Sequence, residues 1–290
     1  MKRTTLGEKI FTIINYAIMV LLVFITLYPV WYVAIASFSS GEAVSTGKVM
    51  FWVKDFSLEA YKQVFAMENL GTAYMNTIFY AVVGTATSMI LTTTAAYGLS
   101  RPDFPFKKQI TLFFMFTMWF GAGMMPTYLN IRNLGLLDTR LGIILMGGVS
   151  TWNLILMRSY FDAIPKEMDE SAKLDGATNW DLFRSIYLPL SGPAIATISL
   201  YYFVGSWNAY FWSMLILTDK KKIPLQVILK KLVVELNVNL SEATAMDYTT
   251  ISRETVVFAT IMISMVPMLI LYPFVQKYFV KGIMIGAVKG

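Results

Sequence analysis

The 290-residue chain contains no cysteine and no histidine. It therefore cannot build disulfides, Cys/His zinc sites, iron–sulfur clusters, thiol nucleophiles or histidine general bases from its own side chains. Only a carboxylate metal site stays chemically open, and no metal site is expected. Charge is scarce too: Asp, Glu, Lys and Arg make up 14% of the chain, against about 25% in soluble domains. Hydrophobic residues reach 56% and mean hydropathy is +0.58. These figures point to an integral membrane protein and disfavour most soluble redox and hydrolytic enzymes. The net charge of +6 would suggest nucleic acid in a soluble chain. Here it suits loops that face lipid headgroups or follow the positive-inside rule, and no nucleic-acid partner is expected.

Because a charged side chain is costly at the bilayer centre, uncharged runs mark candidate spans. Six such runs occur, at 10–41, 69–100, 109–131, 141–157, 185–218 and 255–276. Trimmed of polar ends, they predict an all-α integral membrane fold with six transmembrane helices at about 10–36, 72–98, 109–129, 139–160, 193–217 and 255–279. The first apolar stretch is too long for the 7–15-residue core of a cleavable signal, and Lys2, Arg3 and Lys9 suit an uncleaved anchor. With the N-terminus inside, inner segments hold thirteen Lys/Arg and eight Asp/Glu, and outer segments eleven and ten. That bias favours cytosolic termini. The outer segment 37–71, with Trp52, Phe56, Leu58, Tyr61 and Phe65, reads as amphipathic and membrane-surface.

The loop between the fourth and fifth spans is the most informative stretch. Pro165 suits the first turn of a helix. Glu167, Asp169 and Glu170 then complement its dipole. Gly176 can take the left-handed conformation that ends a helix. Asn179 can cap a second short helix over 180–188, which Pro189 ends. Trp180, Phe183 and Tyr187 share one face of that helix, and Ser171 and Ala172 are small enough for close approach by another surface. The expectation is helix, glycine, helix outside the bilayer, with one face on the membrane domain and the other free for a partner.

The spacing of this loop resembles the EAA loop of permease subunits of ATP-binding-cassette (ABC) importers: Glu-Ala-Ala, three residues, Gly, nine residues, Ile-x-Leu-Pro. Glu170-Ser171-Ala172, Gly176 and Ile186-Tyr187-Leu188-Pro189 reproduce it, with Ser171 as the one departure. Further stretches are similar to the smaller permease of maltose-type systems and to the branch for complex oligosaccharides or polysaccharide fragments. Among them are Asn76-Thr77, the Ala-Ala-Tyr-Gly-Leu-Ser-Arg of 95–101, the Leu-Gly-Leu-Leu-Asp-Thr of 134–139, Trp207-Asn208 and the Leu-Thr-Asp of 217–219.

The resemblance implies a type I ABC importer permease fold and a non-catalytic subunit. Its segments would be an N-terminal helix and outer segment (1–71), a transmembrane type-1 domain (72–279) carrying the coupling loop 161–190, and a cytosolic tail (280–290). The implied partners are a second homologous permease, two cytosolic ATPase subunits that bind ATP and Mg, and an extracellular or periplasmic solute-binding protein. The location would be the bacterial cytoplasmic (inner) membrane. The chain has no Gly-x-x-x-x-Gly-Lys-Ser/Thr loop of its own, so ATPase coupling would pass by contact through Glu170, Ser171, Ala172, Gly176, Ile186, Leu188 and Pro189. The tail, with Lys289 and Gly290, would also touch the ATPase. The outer loop 218–254, with Lys220-Lys221-Lys222, would reach toward the binding protein.

A sugar pathway needs aromatic faces together with amides or hydroxyls. Asn153, Trp207, Asn208, Tyr210 and Trp212 are the candidates, alongside Trp119, Asn130 and Trp152. For each tryptophan the competing reading is an interface belt, and for each amide a polar tie between helices. From the residues alone, other classes stay open: a secondary transporter or channel with the loop as a connector, a membrane enzyme, or an anchor for a cytosolic complex.

Overall fold

The computed structural model describes residues 5–242 and 248–287, and side chains are described except at 235–242, 248–253 and 274–287. The tail residues Lys289 and Gly290 lie outside the described residues. Among those described, the regular structure is entirely helical. The chain divides into two compact units, Met1–Leu70 with Leu229–Val266 and Gly71–Ile228 with Pro267–Gly290.

The first unit begins with α1 (Leu6–Ser37), opened by a capping box between Thr5 and Glu8. Its most apolar window has no buried residue. Only its last turn is buried, where Ile35 and Ala36 pack with Ala43 and Val44 of α2 (Gly41–Ser45) and with Val49. The segment before α3 (Glu59–Ala66) folds back on α1: the Trp31 indole donates to the Phe51 carbonyl at 2.8 Å, and Tyr61 stacks on Phe38 at 4.9 Å. Trp52, Phe56 and Phe65 of this segment are exposed. Tyr32 meets Phe258 edge-on at 5.8 Å.

In the second unit α4 (Leu70–Ser100) is followed by α5 (Lys107–Trp119), α6 (Met124–Asn133), α7 (Arg140–Met146) and α8 (Thr151–Asp162). Next come α9 (Lys166–Leu174), α10 (Asn179–Leu190), α11 (Gly192–Asn208) and α12 (Phe211–Ile216). The remaining helices, α13 (Leu225–Glu242) and α14 (Tyr248–Ala287), each have residues in both units. By length and composition α1, α4 and the Glu254–Pro273 part of α14 suffice to cross a membrane. Three bent pairs reach the same threshold together, α5 with α6, α7 with α8 and α10 with α11, and counting each pair as one span gives six.

The bends correct three expected straight spans. The predicted helix 109–129 turns by 119° between α5 and α6, where Gly121 and Gly123 interrupt it and Gly123 takes φ 80°. At 13 residues, α5 is only about 20 Å long, short of the roughly 30 Å hydrocarbon core. The helix predicted over 139–160 bends by 55° at 147–150. That over 193–217 is interrupted at Ala209 and Tyr210, and an 80° bend where α10 enters α11 immediately precedes it.

The second short helix also differs from expectation. Thr178, not Asn179, is its cap and forms a capping box with Asp181. Pro189 does not end it. Residues Phe183–Tyr187 widen into a π-turn, and the Leu188 N–H bonds the Phe183 carbonyl five residues back. Widening the turn relieves the clash a proline ring makes with the preceding carbonyls, so the helix runs on to Leu190.

The core at this end of the unit is aromatic. Phe161, Phe183, Tyr187 and Tyr97 meet at ring distances of 5.0–6.3 Å, with Leu154, Met157 and Ile198 behind them. Phe161 is 1% exposed. Its replacement by alanine is expected to destabilise the protein by about 3–5 kcal/mol, read as a lower melting temperature of the purified protein in detergent. Phe161→Leu should retain most of the stability, and equal effects of the two substitutions would contradict this packing.

Candidate functional site

The loop singled out from its spacing divides into two physically different halves. α9 stands out from the unit: Glu170, Ser171 and Gly176 are exposed, Ala172 is half-buried, and Leu174 is 89% exposed. Gly176, at φ 84°, ends the helix in a Schellman motif, with its N–H on the Lys173 carbonyl and that of Ala177 on the Ala172 carbonyl. A Cβ at Gly176 would meet nothing within 4 Å, so the glycine is required by its backbone conformation and not by crowding. In the other half Ile186 and Leu188 pack against the aromatic core, while Pro189 is exposed. Of the face expected from Trp180, Phe183 and Tyr187, the last two are buried and Trp180 is 63% exposed.

What holds α9 in place is a charge the spacing did not single out. Arg101, the first charge after the uncharged run of α4, forms an ion pair with Asp169 beside Glu170, and both side chains are 14% exposed. Its guanidinium lies 4.6 Å from the centre of the Tyr97 ring and 4.3 Å from that of Tyr187, a cation sandwiched between two aromatic faces. The Tyr97 hydroxyl donates to the Asn179 carbonyl at 2.9 Å. Burial alone would lower the arginine pKa, but the Tyr187 hydroxyl and the Asp169 carboxylate outweigh it and raise the pKa above its ordinary value. One arginine thus joins α4, α9 and α10. The clue available in the sequence was a lone arginine closing a charge-free run; its partner lies 68 positions away.

Toward the middle of the unit the helix breaks surround a cavity of about 390 Å³. Tyr80, Gly84 and Ser88 of α4, Asn153 of α8 and Tyr202 of α11 line it, with Trp212 of α12. Backbone freed at the 147–150 break is satisfied by side chains: Ser88 donates to the Gly147 carbonyl at 2.8 Å, and the Ser150 N–H donates to the Tyr202 hydroxyl at 2.9 Å. Non-helical backbone at membrane depth is tolerated where it is buried in protein or lines a cavity. Of the sequence candidates, Asn153 and Trp212 line this space. Trp207 does not: it is 1% exposed and packs against Tyr74 and Phe203. Asn208 is exposed and donates to the Val204 carbonyl of its own helix, and Tyr210 lies outside the lining. Trp119 and Trp152 are exposed, as is Asn130. Sequence reasoning missed Ser88, Ser150 and Tyr202; the Gly147-Gly148 pair was the available signal.

At the far end of α4 from Arg101 a polar clasp unites three stretches noted only for their wording. The buried Asn76 amide donates to the carbonyls of Lys221 (2.8 Å) and Ile223 (3.2 Å) and accepts from Arg140 (2.9 Å). Tyr80 donates to the Lys222 carbonyl, and the Leu225 N–H to Thr77. Asp138, in the left-handed region at φ 52°, accepts the N–H groups of Thr218 and Asp219, and the Lys222 ammonium lies 3.1 Å from its carboxylate. The Asp219 and Thr218 N–H groups and the Lys222 charge hold the Asp138 pKa below the usual carboxylate value, against partial desolvation.

A family model described as "Binding-protein-dependent transport system inner membrane component" matches residues 78–285. The chain is 38% identical over 284 residues to the polygalacturonan/rhamnogalacturonan transport system permease protein YtcP of Bacillus subtilis, covering 98% of this chain and 99% of that one. It is 37% identical to protein LplC of the same organism, covering 92% and 90%. Among solved structures it superposes with a TM-score of 0.86, at 40% identity and over 96% of its length, on a chain of a bacterial ABC transporter involved in the import of the acidic polysaccharide alginate, all of which is covered.

Two outcomes are expected from the clamp and the clasp. Arg101→Gln strands the Asp169 carboxylate without its partner, which costs about 3–5 kcal/mol for a buried pair; limited proteolysis should cut within 161–190 faster than in the unaltered protein, with Asp169→Asn milder. For the clasp, a depressed folded pKa means that Asp138 contributes stability above the ordinary value of 3.8 and loses it as pH falls through the lower folded value. Hydrogen exchange at the Thr218 and Asp219 amides should therefore stay protected at neutral pH and open in that acid range. Asp138→Asn should weaken the protection already at neutral pH.

Proposed function

Since the chain belongs to the family of binding-protein-dependent transport system inner membrane components, we propose that it is the permease subunit of an ABC importer for oligosaccharides or polysaccharide fragments in the bacterial cytoplasmic membrane. A second homologous permease completes the pathway, a solute-binding protein delivers cargo outside, and two cytosolic ATPase subunits bind ATP and Mg. This chain carries out no bond chemistry. Both termini are cytosolic, so α9 faces the ATPase, and the 280–290 tail lies on the same side.

The observation that carries the reading is an exposed helix held by a buried clamp. α9 offers Glu170, the small Ser171 and Ala172, and the exposed Leu174, a mixed acidic and apolar surface suited to a cleft on another protein. Behind it, Arg101 fixes that surface to α4 and α10. α4, and α11 which follows α10, line the cavity. When ATP draws the two ATPase subunits together, the displaced α9 pulls on helices that form the cargo space. Nucleotide thereby biases the population between inward- and outward-open states. Ile186, Leu188 and Pro189 act one step back, by keeping α10 packed while it is pulled.

The cavity suits a sugar: aromatic rings for C–H faces, and amide and hydroxyl groups for the OH groups. Asn153 and Trp212 are the residues of this chain assigned to it, with Tyr80, Ser88 and Tyr202. Trp207, Asn208 and Tyr210 are given no cargo contact.

Glu170→Lys places a cation on the docking face, and Gly176→Asp strains the turn that shapes it. Both should abolish cargo uptake and cargo-stimulated ATP hydrolysis in the assembled transporter while the subunit still inserts in the membrane. Full transport by both variants would exclude α9 as the coupling element.

A further inference from the structure

At the far end of α4, three cations of the clasp have no carboxylate partner among the described residues. Lys222 is neutralised internally by Asp138 and Asp219. Arg140, Lys220 and Lys221 are exposed, and among the described residues no carboxylate lies within ion-pair distance of any of them. One buried group ties Arg140 to the backbone that carries the two lysines: Asn76, 3% exposed, accepts from the Arg140 guanidinium with its oxygen and donates to the Lys221 carbonyl with its nitrogen. Phe79 supports the guanidinium from below at 5.3 Å. Arg140 is thus held by Asn76, Phe79 and Tyr80 beside an opening of about 470 Å³ that it lines.

Position adds to composition. Asn76 lies 24 residues from Ser100, which precedes Arg101 and ends the continuous helix, roughly 36 Å at 1.5 Å per residue. That exceeds the hydrocarbon thickness of about 30 Å, so the cations stand on the face opposite α9. The stretch that bears them runs directly into the cavity wall: Tyr80, bonded to the Lys222 carbonyl, and Pro224 both line the cavity. Among the described residues, none that lines the cavity is charged. Cationic recognition is therefore concentrated at one end of an otherwise neutral cargo space.

We infer that Arg140, Lys220 and Lys221 form a carboxylate-recognition patch at the outer mouth, so that the cargo is an acidic, uronate-bearing oligosaccharide. The inference rests on the importer reading above and narrows its substrate class. An oriented guanidinium takes a carboxylate with two parallel hydrogen bonds, and two flexible ammonium groups follow the next charges along a repeating polyanion. Neutral rings then pass into the uncharged cavity, where aromatic and hydroxyl groups meet them.

The test uses the complete transporter, with its own partner subunits and binding protein, in proteoliposomes. Uptake of trigalacturonate is compared with uptake of its carboxyl-reduced, neutral counterpart. In an Arg140→Gln/Lys220→Gln/Lys221→Gln variant, KM for the acidic trisaccharide should rise roughly tenfold or more, because hydrogen bonds to charged groups are lost. Its kcat and the uptake of the neutral trisaccharide should change less than twofold. Arg140→Lys, which keeps the charge but not the fork, should fall between. Equal losses for both sugars, as expected if the patch docks acidic side chains of the binding protein, would overturn the inference, as would unchanged KM. Wild-type uptake of the neutral sugar alone would overturn it while leaving the importer reading intact. Uptake of neither would remove the importer reading and the inference with it.

Discussion

The arrangement of α9 against α4 and α10 centres on a largely buried ion pair between Arg101 and Asp169. A charged residue closing a membrane-length helix must be paired or must reach water, and Arg101 is 14% exposed at its side chain. Its net contribution to stability is not the point, since burying two charges costs much of what their attraction returns. What the pair contributes is a unique arrangement. A guanidinium held by a carboxylate on one side and by two tyrosine faces on the others has one position, and the three helices that supply those groups have one arrangement around it. α9 is therefore tied to both α4 and α10.

The interruptions in the spans follow a second constraint. Breaking a helix frees N–H and C=O groups that find no water in hydrocarbon, and each such group left unpaired costs several kcal/mol. The break at 147–150 is covered by Ser88 on one side and Tyr202 on the other, and Tyr202 is itself bonded to Thr92 at 2.7 Å. These residues therefore do two things at once: they cover the broken backbone, and they supply the hydroxyl lining of the cavity. A continuous apolar helix at 139–160 would need neither, and would leave no polar recess.

This explains what could and could not be read from the chain. The long helices α1 and α4 and the apolar part of α14 are legible because the absence of charge over more than 18 residues has one common structural meaning. Gly176 is legible because its role is local, a positive φ that its own helix end demands. The bends are not, because Gly121, Gly123, Gly147 and Gly148 permit a turn without dictating one, and the groups that compensate the turn lie far away in sequence. The same holds for Trp207 and Asn208. Composition placed both in the cargo path, but which side of α11 faces the cavity depends on α4 and α12, and the lining falls on Tyr201, Tyr202, Gly205 and Ser206 instead. Arg101, Asn76 and Asp138 each stood in a stretch of recognisable wording, yet their partners lie 60 or more positions away.

α4 is the element in which these constraints meet. At one end it holds the arginine that captures α9; at the other, the buried amide that gathers Arg140 and the Lys221 backbone; between them Tyr80, Gly84 and Ser88 face the cavity. Over 31 residues it contains no proline, and a helix without proline or a π-bulge has few places to kink. The arginine, the cavity wall and the clasp therefore share one uninterrupted backbone. The π-widened, proline-bearing α10 behaves differently. It joins α11 at an 80° bend, so the other arm of the clamp ends in a corner. The same arginine is thus gripped by one uninterrupted helix and by one that ends in a corner, and the cavity is lined by the first of these and by α11 beyond that corner.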